Sequence, residues 1–202
     1  MKNSKTKKIL SILLAVIMVV GMIPATAIPV SAADDAECPI AGATGTGTED
    51  DPVIVDTYDE LQAALGYEDS ELYIQMDVDI DCEDVVPDDS LYSYSASLVV
   101  FGTKTLVING KLSSVAVDAH TICVATDAYL TVSGTGKIES NRRCINAIQH
   151  QLSAEGITIK GDLTFEGKDE YGVIGSLNCK LLVYGGTFIN KEYPARPFYN
   201  DN

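Results

Sequence analysis

The sequence predicts an all-β solenoid entered through one short α-helix, and three observations carry that expectation. One unit, apolar-x-β-branched-x-Gly, recurs with glycines at Gly110, Gly134, Gly161 and Gly185, spaced 24, 27 and 24 residues apart. Each repeat holds three short apolar stretches divided by turn residues, which leaves no room for a helix inside it. Helix signals occur ahead of the repeats only, over residues 57–65. A fixed period in this range marks a solenoid, in which each repeat buries its apolar face against its neighbours alone. The L-x-x-L-x-L-x-x-N signature of a leucine-rich repeat is absent. A β-sandwich would also suit frequent turns, but it does not ask for recurrence of the whole unit, glycine included.

Residues 1–32 have the pattern of a secretory signal peptide. Lys2, Lys5, Lys7 and Lys8 make a basic start, residues 9–20 are apolar except for Ser11, and Val30-Ser31-Ala32 supplies small residues before a cut after Ala32. Ala25-Thr26-Ala27 is the second choice. Pro24 and Pro29 interrupt the run before the ~20 apolar residues that a membrane span needs. The mature protein is therefore expected to be secreted, meeting a membrane only during export. Residues 33–51 are small, polar and acidic and read as a flexible leader.

Pro52-Val53-Ile54-Val55 then reads as a strand. Thr57 with Glu60 three residues on is a capping signature, and it places Leu61, Ala64 and Leu65 on one helical face before Gly66. From Leu72 the period changes to two, with Leu72, Ile74, Met76, Val78 and Ile80 alternating with Tyr73, Gln75, Asp77, Asp79 and Asp81. A polar loop leads to a second strand over residues 97–101. The repeats follow as Thr105-Leu106-Val107-Ile108-Asn109-Gly110, Tyr129-Leu130-Thr131-Val132-Ser133-Gly134, Gly156-Ile157-Thr158-Ile159-Lys160-Gly161 and Lys180-Leu181-Leu182-Val183-Tyr184-Gly185.

Over residues 50–191 these motifs resemble the right-handed parallel β-helix proteins of the pectin-lyase-like architecture. The likeness is to the pectate-lyase-like adhesive domains of secreted bacterial proteins in particular. It implies a domain over residues 52–202 of about four rungs, with repeats at about residues 98–191. The helix at 57–65 would cap the open end of the solenoid. The tail beyond residue 191 has no helical cap, so it folds over the other end, a partner covers that end, or the sequence is truncated.

Charge narrows the partners. The chain has 14 Lys+Arg against 29 Asp+Glu, a net charge of −15, and loss of the four N-terminal lysines would leave 10 − 29 = −19. Nucleic acid is excluded as a partner. Residues 34–89 hold 19 of the 29 acids, whereas residues 90–202 carry 10 basic and 10 acidic residues. A polyanionic ligand would need a bridging cation. Asp77, Asp79 and Asp81 would share one strand face about 7 Å apart, where calcium is the hard cation that would relieve their repulsion, against a solvated strand face as the plain alternative.

His120 and His150 are too isolated to be metal ligands on sequence grounds, and no C-x-x-C pair occurs. The five cysteines allow at most two bridges. Cys123 and Cys144 flank Ile122 and Ile145, which align between repeats, so a bridge between rungs is expected there, offset by two residues. Cys38 with Cys82 is a further pairing that would leave Cys179 free.

The hydrolase signatures of the resembled architecture, Asn-Thr-Asp, Asp-Asp, His-Gly and Arg-Ile-Lys, do not occur as an ordered set. The paired acids Asp34-Asp35, Asp50-Asp51 and Asp88-Asp89 fall in leader and loop, and Ala195-Arg196-Pro197-Phe198 does not match a lyase motif of two arginines around a proline. Glycan binding asks instead for aromatic faces beside hydrogen-bonding groups. Tyr92 and Tyr94 would present two rings from one loop, and Tyr129, Tyr171 and Tyr184 would form an outward ladder. The expected function is a non-catalytic extracellular binding or adhesion module for a polysaccharide or cell-surface glycan. A polysaccharide lyase or glycoside hydrolase of the same fold is the alternative in another class, and a structural piece of a larger surface protein is the third.

Overall fold

The structure is a computed structural model, and it describes residues 37–68, 71–82, 95–148, 155–194 and 197–201. Residues 1–32, with the expected signal peptide, and Tyr92 and Tyr94 lie outside the described residues.

The chain enters through β1 (Val53–Ile54) and α1 (Tyr58–Gly66), then winds in coils of three strands each. The first coil is β2 (Leu72–Met76), β3 (Ile80–Cys82) and β4 (Ala96–Val100); the next is β5 (Thr103–Ile108), β6 (Lys111–Ser114) and β7 (His120–Val124). Then come β8 (Tyr129–Gly134), β9 (Lys137–Ser140) and β10 (Ile145–Ile148), and β11 (Glu155–Ile159), β12 (Thr164–Gly167) and β13 (Ile174–Leu177). The last coil is β14 (Lys180–Val183), β15 (Thr187–Asn190) and β16 (Phe198–Asp201). Three sheets result, ordered β1-β2-β5-β8-β11-β14, β3-β6-β9-β12-β15 and β4-β7-β10-β13-β16, with every strand pairing parallel. The fold is the expected β-solenoid, with a single short helix among the described residues. The four glycine units open the coils that start at β5, β8, β11 and β14, and one coil outside the repeat count, β2-β3-β4, precedes them.

Alternation of apolar residues makes this stacking possible. Each sheet turns one face to the shared interior, so apolar side chains in register form columns along the axis, each burial contributing about 1.5–3 kcal/mol. Leu98, Ile122, Ile145 and Ile174 form one column, and Ile138 and Phe165 belong to another; all are fully buried. Phe188 continues the second, its ring stacked on Phe165 at 4.9 Å and 6° between planes.

The helix forms where its capping signature places it. The Thr57 hydroxyl accepts from Glu60 N at 3.3 Å and the Glu60 carboxylate accepts from Thr57 N at 3.2 Å, the reciprocal pair of a capping box. Tyr58, Leu61, Ala64 and Leu65 are its buried face, and α1 packs on β3 and β4. The Tyr58 hydroxyl donates to Ser97 O at 2.7 Å, and Phe101 N donates to Leu65 O at 3.0 Å. With β1 on the edge of β2, the first coil is covered on all three sheets. Residues 37–51, expected as a flexible leader, pack here too: Ile40 is buried and Thr44 bridges Ile54.

Two expectations are corrected. The single strand over residues 72–81 is two, because the chain turns a corner at residues 77–79 between β2 and β3, leaving Val78 39% exposed. The first glycine unit is also slid by two residues from its sequence alignment, so that Ile108 rather than Gly110 opposes Gly134, and Lys111 opposes Lys137. A two-residue slide keeps every side chain on its own face. Gly134 has φ +117°, and a Cβ there would strike Ile108 O. The slide also sets Lys104 in register between Leu72 and Leu130, only 1% exposed, where burial lowers its pKa. No helix among the described residues is long and apolar enough to cross a membrane.

Candidate binding sites on the sheet faces

The expected metal residues are not brought together. Asp77 stands at the corner after β2, where its carboxylate accepts from Asn109 Nδ2 at 2.7 Å and from Gln75 Nε2 at 2.8 Å. Those two donors hold its pKa down, the Asn109 bond most strongly. Asp79 accepts from Lys111 N at 2.8 Å, and Asp81 on β3 accepts from the Ser113 hydroxyl. Each carboxylate thus meets a different donor of the following coil instead of a common ion. Among the described residues, no group of three or more His, Cys, Asp or Glu is placed to hold a metal.

The expected tyrosine ladder is not formed either, because its members stand at different points of the coil. Tyr129 opens β8 on the outer face of the first sheet, whereas Tyr171 lies in the corner between β12 and β13 with the Arg143 guanidinium 5.8 Å from its ring centroid. Tyr184 follows β14 and is 71% exposed.

The first sheet nevertheless builds a face of the kind the tyrosines were expected to make. Tyr73 on β2 is in register with Thr105 on β5, then Thr131 on β8, Thr158 on β11 and Leu182 on β14. These are outward positions, alternating with the buried Leu72, Ile74, Leu106, Leu130, Val132, Ile157 and Ile159. Tyr129 shares this face, two residues before Thr131 and two strands from Tyr73, hence about 10 Å across the sheet and about 7 Å along it. A groove of about 480 Å³ runs over it, with Glu49, Glu71, Tyr73, Gln75, Thr131 and Lys160 in its lining, and Tyr129 lines a neighbouring groove of about 220 Å³ with Thr131 and Thr158. The charge of Glu49, then burial and Glu71, raises the Tyr73 pKa. Tyr73 was missed in the sequence because its companions come from strands more than thirty positions away.

A second groove, of about 440 Å³, crosses the outer face of the second sheet. Asp81, Ser113, Glu139 and Glu166 follow one another in register across β3, β6, β9 and β12. The Lys137 ammonium sits 2.6 Å from the Glu139 carboxylate and 2.8 Å from that of Glu166; Lys191 contacts Glu166, and Lys111 is 3.9 Å from Glu139. The hydrogen bond from Lys137 is the main cause holding the Glu139 pKa below the usual carboxylate range. A paired-carboxylate hydrolase needs one ionised carboxyl beside one kept protonated, and Lys137 draws Glu139 towards the ionised form.

The corner between the second and third sheets carries a buried ionic tie. Asp169 lies 3.4 Å from the guanidinium nitrogens of both Arg142 and Arg143, and Arg143 Nη1 donates to Asn146 Oδ1 at 2.6 Å. Asp169, Arg143 and Asn146 are all buried, so this cluster fastens one coil to the next and offers little to a ligand.

The expected bridge between Cys123 and Cys144 is not formed. Ile122 and Ile145 do align, but Cys123 follows its isoleucine and so faces Asn146, while Cys144 precedes its own. The Cys144 thiol instead approaches Ile138 O at 3.4 Å and Glu166 O at 3.3 Å. Cys38, Cys82 and Cys179 form no bridge either.

Comparison of the chain with protein families, with curated proteins and with solved structures finds no match.

Proposed function

We propose that the chain is a secreted, non-catalytic binding module of the pectin-lyase-like β-helix kind, and that it takes a neutral carbohydrate on the outer face of its first sheet. The observation that carries this reading is the placement of Tyr73 and Tyr129 on one face, with Thr105, Thr131 and Thr158 in register along it. Two rings with hydroxyls and an amide around them are what a sugar needs, since its C–H face stacks on an aromatic ring while its hydroxyls exchange hydrogen bonds. Glu49 and Glu71 beside Tyr73 disfavour an anionic glycan there.

The test is retention of the purified chain on a panel of neutral and uronic-acid polysaccharides, with release of reducing or unsaturated sugars followed in parallel. Retention on a neutral glycan without product is expected, weakened about tenfold in Tyr73→Ala and in Tyr129→Ala, in line with an aromatic contact of ~1–2 kcal/mol. Product release would replace this reading with a lyase or hydrolase. Retention that ignores both substitutions would move the site elsewhere.

A further inference from the structure

The groove across the second sheet holds its charges unevenly. Glu139 and Glu166 lie in its middle, and each has a lysine: Lys137 serves both, Lys111 faces Glu139 and Lys191 contacts Glu166. The two ends differ. At one end Asp81 on β3 accepts from the Ser113 hydroxyl, and among the described residues no basic side chain pairs with it. At the other, Lys168 beyond β12 donates to Asn141 Oδ1 at 3.0 Å, and among the described residues no carboxylate pairs with it. Both line the same groove of about 440 Å³, a volume within the ~300–1,000 Å³ of ligand sites. No aromatic side chain stands in that lining among the described residues, so a sugar has no ring to stack on there.

We propose that this groove binds a short peptide with free ends, its terminal ammonium on Asp81 and its terminal carboxylate on Lys168. Spacing sets the length. Asp81 belongs to the row of Ser113, Glu139 and Glu166, and the Lys168 ammonium reaches back from β12 to Asn141, which follows β9. The two charges are therefore two to three strand spacings apart, about 10–14 Å across the sheet. An extended chain covers about 3.3–3.6 Å per residue, so about three or four residues span the gap. Sign sets the class. A carboxylate without a base at one end and an ammonium without an acid at the other complement a dipolar ligand, whereas a polyanion meets Asp81, Glu139 and Glu166, and a polycation meets Lys111, Lys168 and Lys191. Between the ends the Glu139 and Glu166 carboxylates can accept from peptide N–H groups. Val115, in the same lining and 73% exposed, offers an apolar contact beside Asn141, which donates to its carbonyl. This site is separate from the first-sheet face, so either can fail alone.

Titration of the purified full chain with tetra-alanine, followed by amide chemical shifts, tests this. Saturable shifts at Asp81, Ser113, Asn141 and Lys168 are expected, with binding that weakens as salt is added. N-acetylation of the peptide removes its ammonium and amidation removes its carboxylate, and each should weaken binding about fivefold, the upper scale of a solvent-exposed ion pair. Two variants carry the assignment of the ends. Acetylation should cost nothing further in Asp81→Asn, nor amidation in Lys168→Met, since each partner is already gone. Asp81 is exposed and Lys168 half-buried, and circular dichroism checks that both variants are folded. Absence of saturable shifts on the second sheet overturns the proposal, as does equal binding of the peptide capped at both ends. A full cost of acetylation in Asp81→Asn, or of amidation in Lys168→Met, overturns it as well, because the ends of the peptide would then lie elsewhere.

Discussion

Glu139 and Glu166 stand in register on adjacent strands with one ammonium, that of Lys137, shared between them at 2.6 and 2.8 Å. Like charges directly opposed on a sheet repel, so the lysine reverses the sign of this contact. Lys137→Met should cost about 1 kcal/mol at neutral pH, the scale of a part-exposed ion pair. The pH dependence should also weaken. In the parent, Glu139 has a lowered folded pKa, so its contribution is present above the usual carboxylate range and lost as pH falls through the folded value. In the variant the Lys137 hydrogen bond, the main cause of that lowering, is gone while Lys111 and Lys191 still face the pair, so less stability should be lost on acidification. Urea unfolding of both proteins at neutral pH and near pH 4.5 measures this; parallel losses on acidification would contradict it.

His120 opens β7 with 1% exposure, and burial, then Arg142 and Arg143, push its pKa down to about 3, against a weaker pull from Asp169. The unfolded chain takes up that proton near the ordinary 6.5. Between these values the unfolded state binds more protons, so stability is full above the unfolded pKa and falls as pH drops towards the folded one. From pH 7 to 5 this one group should remove about 2 kcal/mol. His120→Gln should lose about that much less over the same interval, and equal losses in the two proteins would show that His120 is not responsible.

What the sequence discloses follows from what is periodic or local. The capping box of α1 lies within four residues, and the three later glycine units pair in the register their alignment predicts, Leu130 with Ile157 and Ile159 with Val183. The slide of the first unit could not be read, because moving it by two leaves the inward and outward sets of a strand unchanged. The corner at residues 77–79 is hidden for a related reason: Val78 continues the apolar alternation, while the donors that hold the corner, Asn109 and Lys111 N, belong to the next coil. The face proposed for binding was half legible. Tyr129 stood out beside its repeat, whereas Tyr73 joins that face only once β2, β5 and β8 lie side by side.

The thiols offer a covalent test of register. Burial first, and then Asp81, drives the Cys82 thiol up to about 12, and burial raises Cys144 and Cys179 as well. Since the thiolate is the reactive form, these residues should resist alkylation. Cys38 is partly exposed and Cys123 is buried. Iodoacetamide at neutral pH should therefore label Cys38 alone in the native chain and all five cysteines in urea without reductant. A peptide pair linking Cys123 to Cys144 in a non-reduced digest would show that the register of β7 on β10 is wrong.

Thr57 and Glu60 hold the end of the solenoid that α1 covers, through bonds in both directions. Thr57→Ala should cost about 1 kcal/mol, the usual scale for a lost helix cap. Glu60→Ala removes the acceptor for both Asp56 N and Thr57 N and should cost a similar amount. Because the two residues act as one device, the double variant should lose less than the sum of the single losses. The damage should also be local. Removing the cap loosens Leu61 and Leu65 from the core and bares β3 and β4, so exchange should accelerate in α1, β3 and β4 while β11 and β12, several coils away, keep their parent rates. Uniform acceleration through every coil would mean that the solenoid opens only as a whole, and that α1 is an integral part of one cooperative unit.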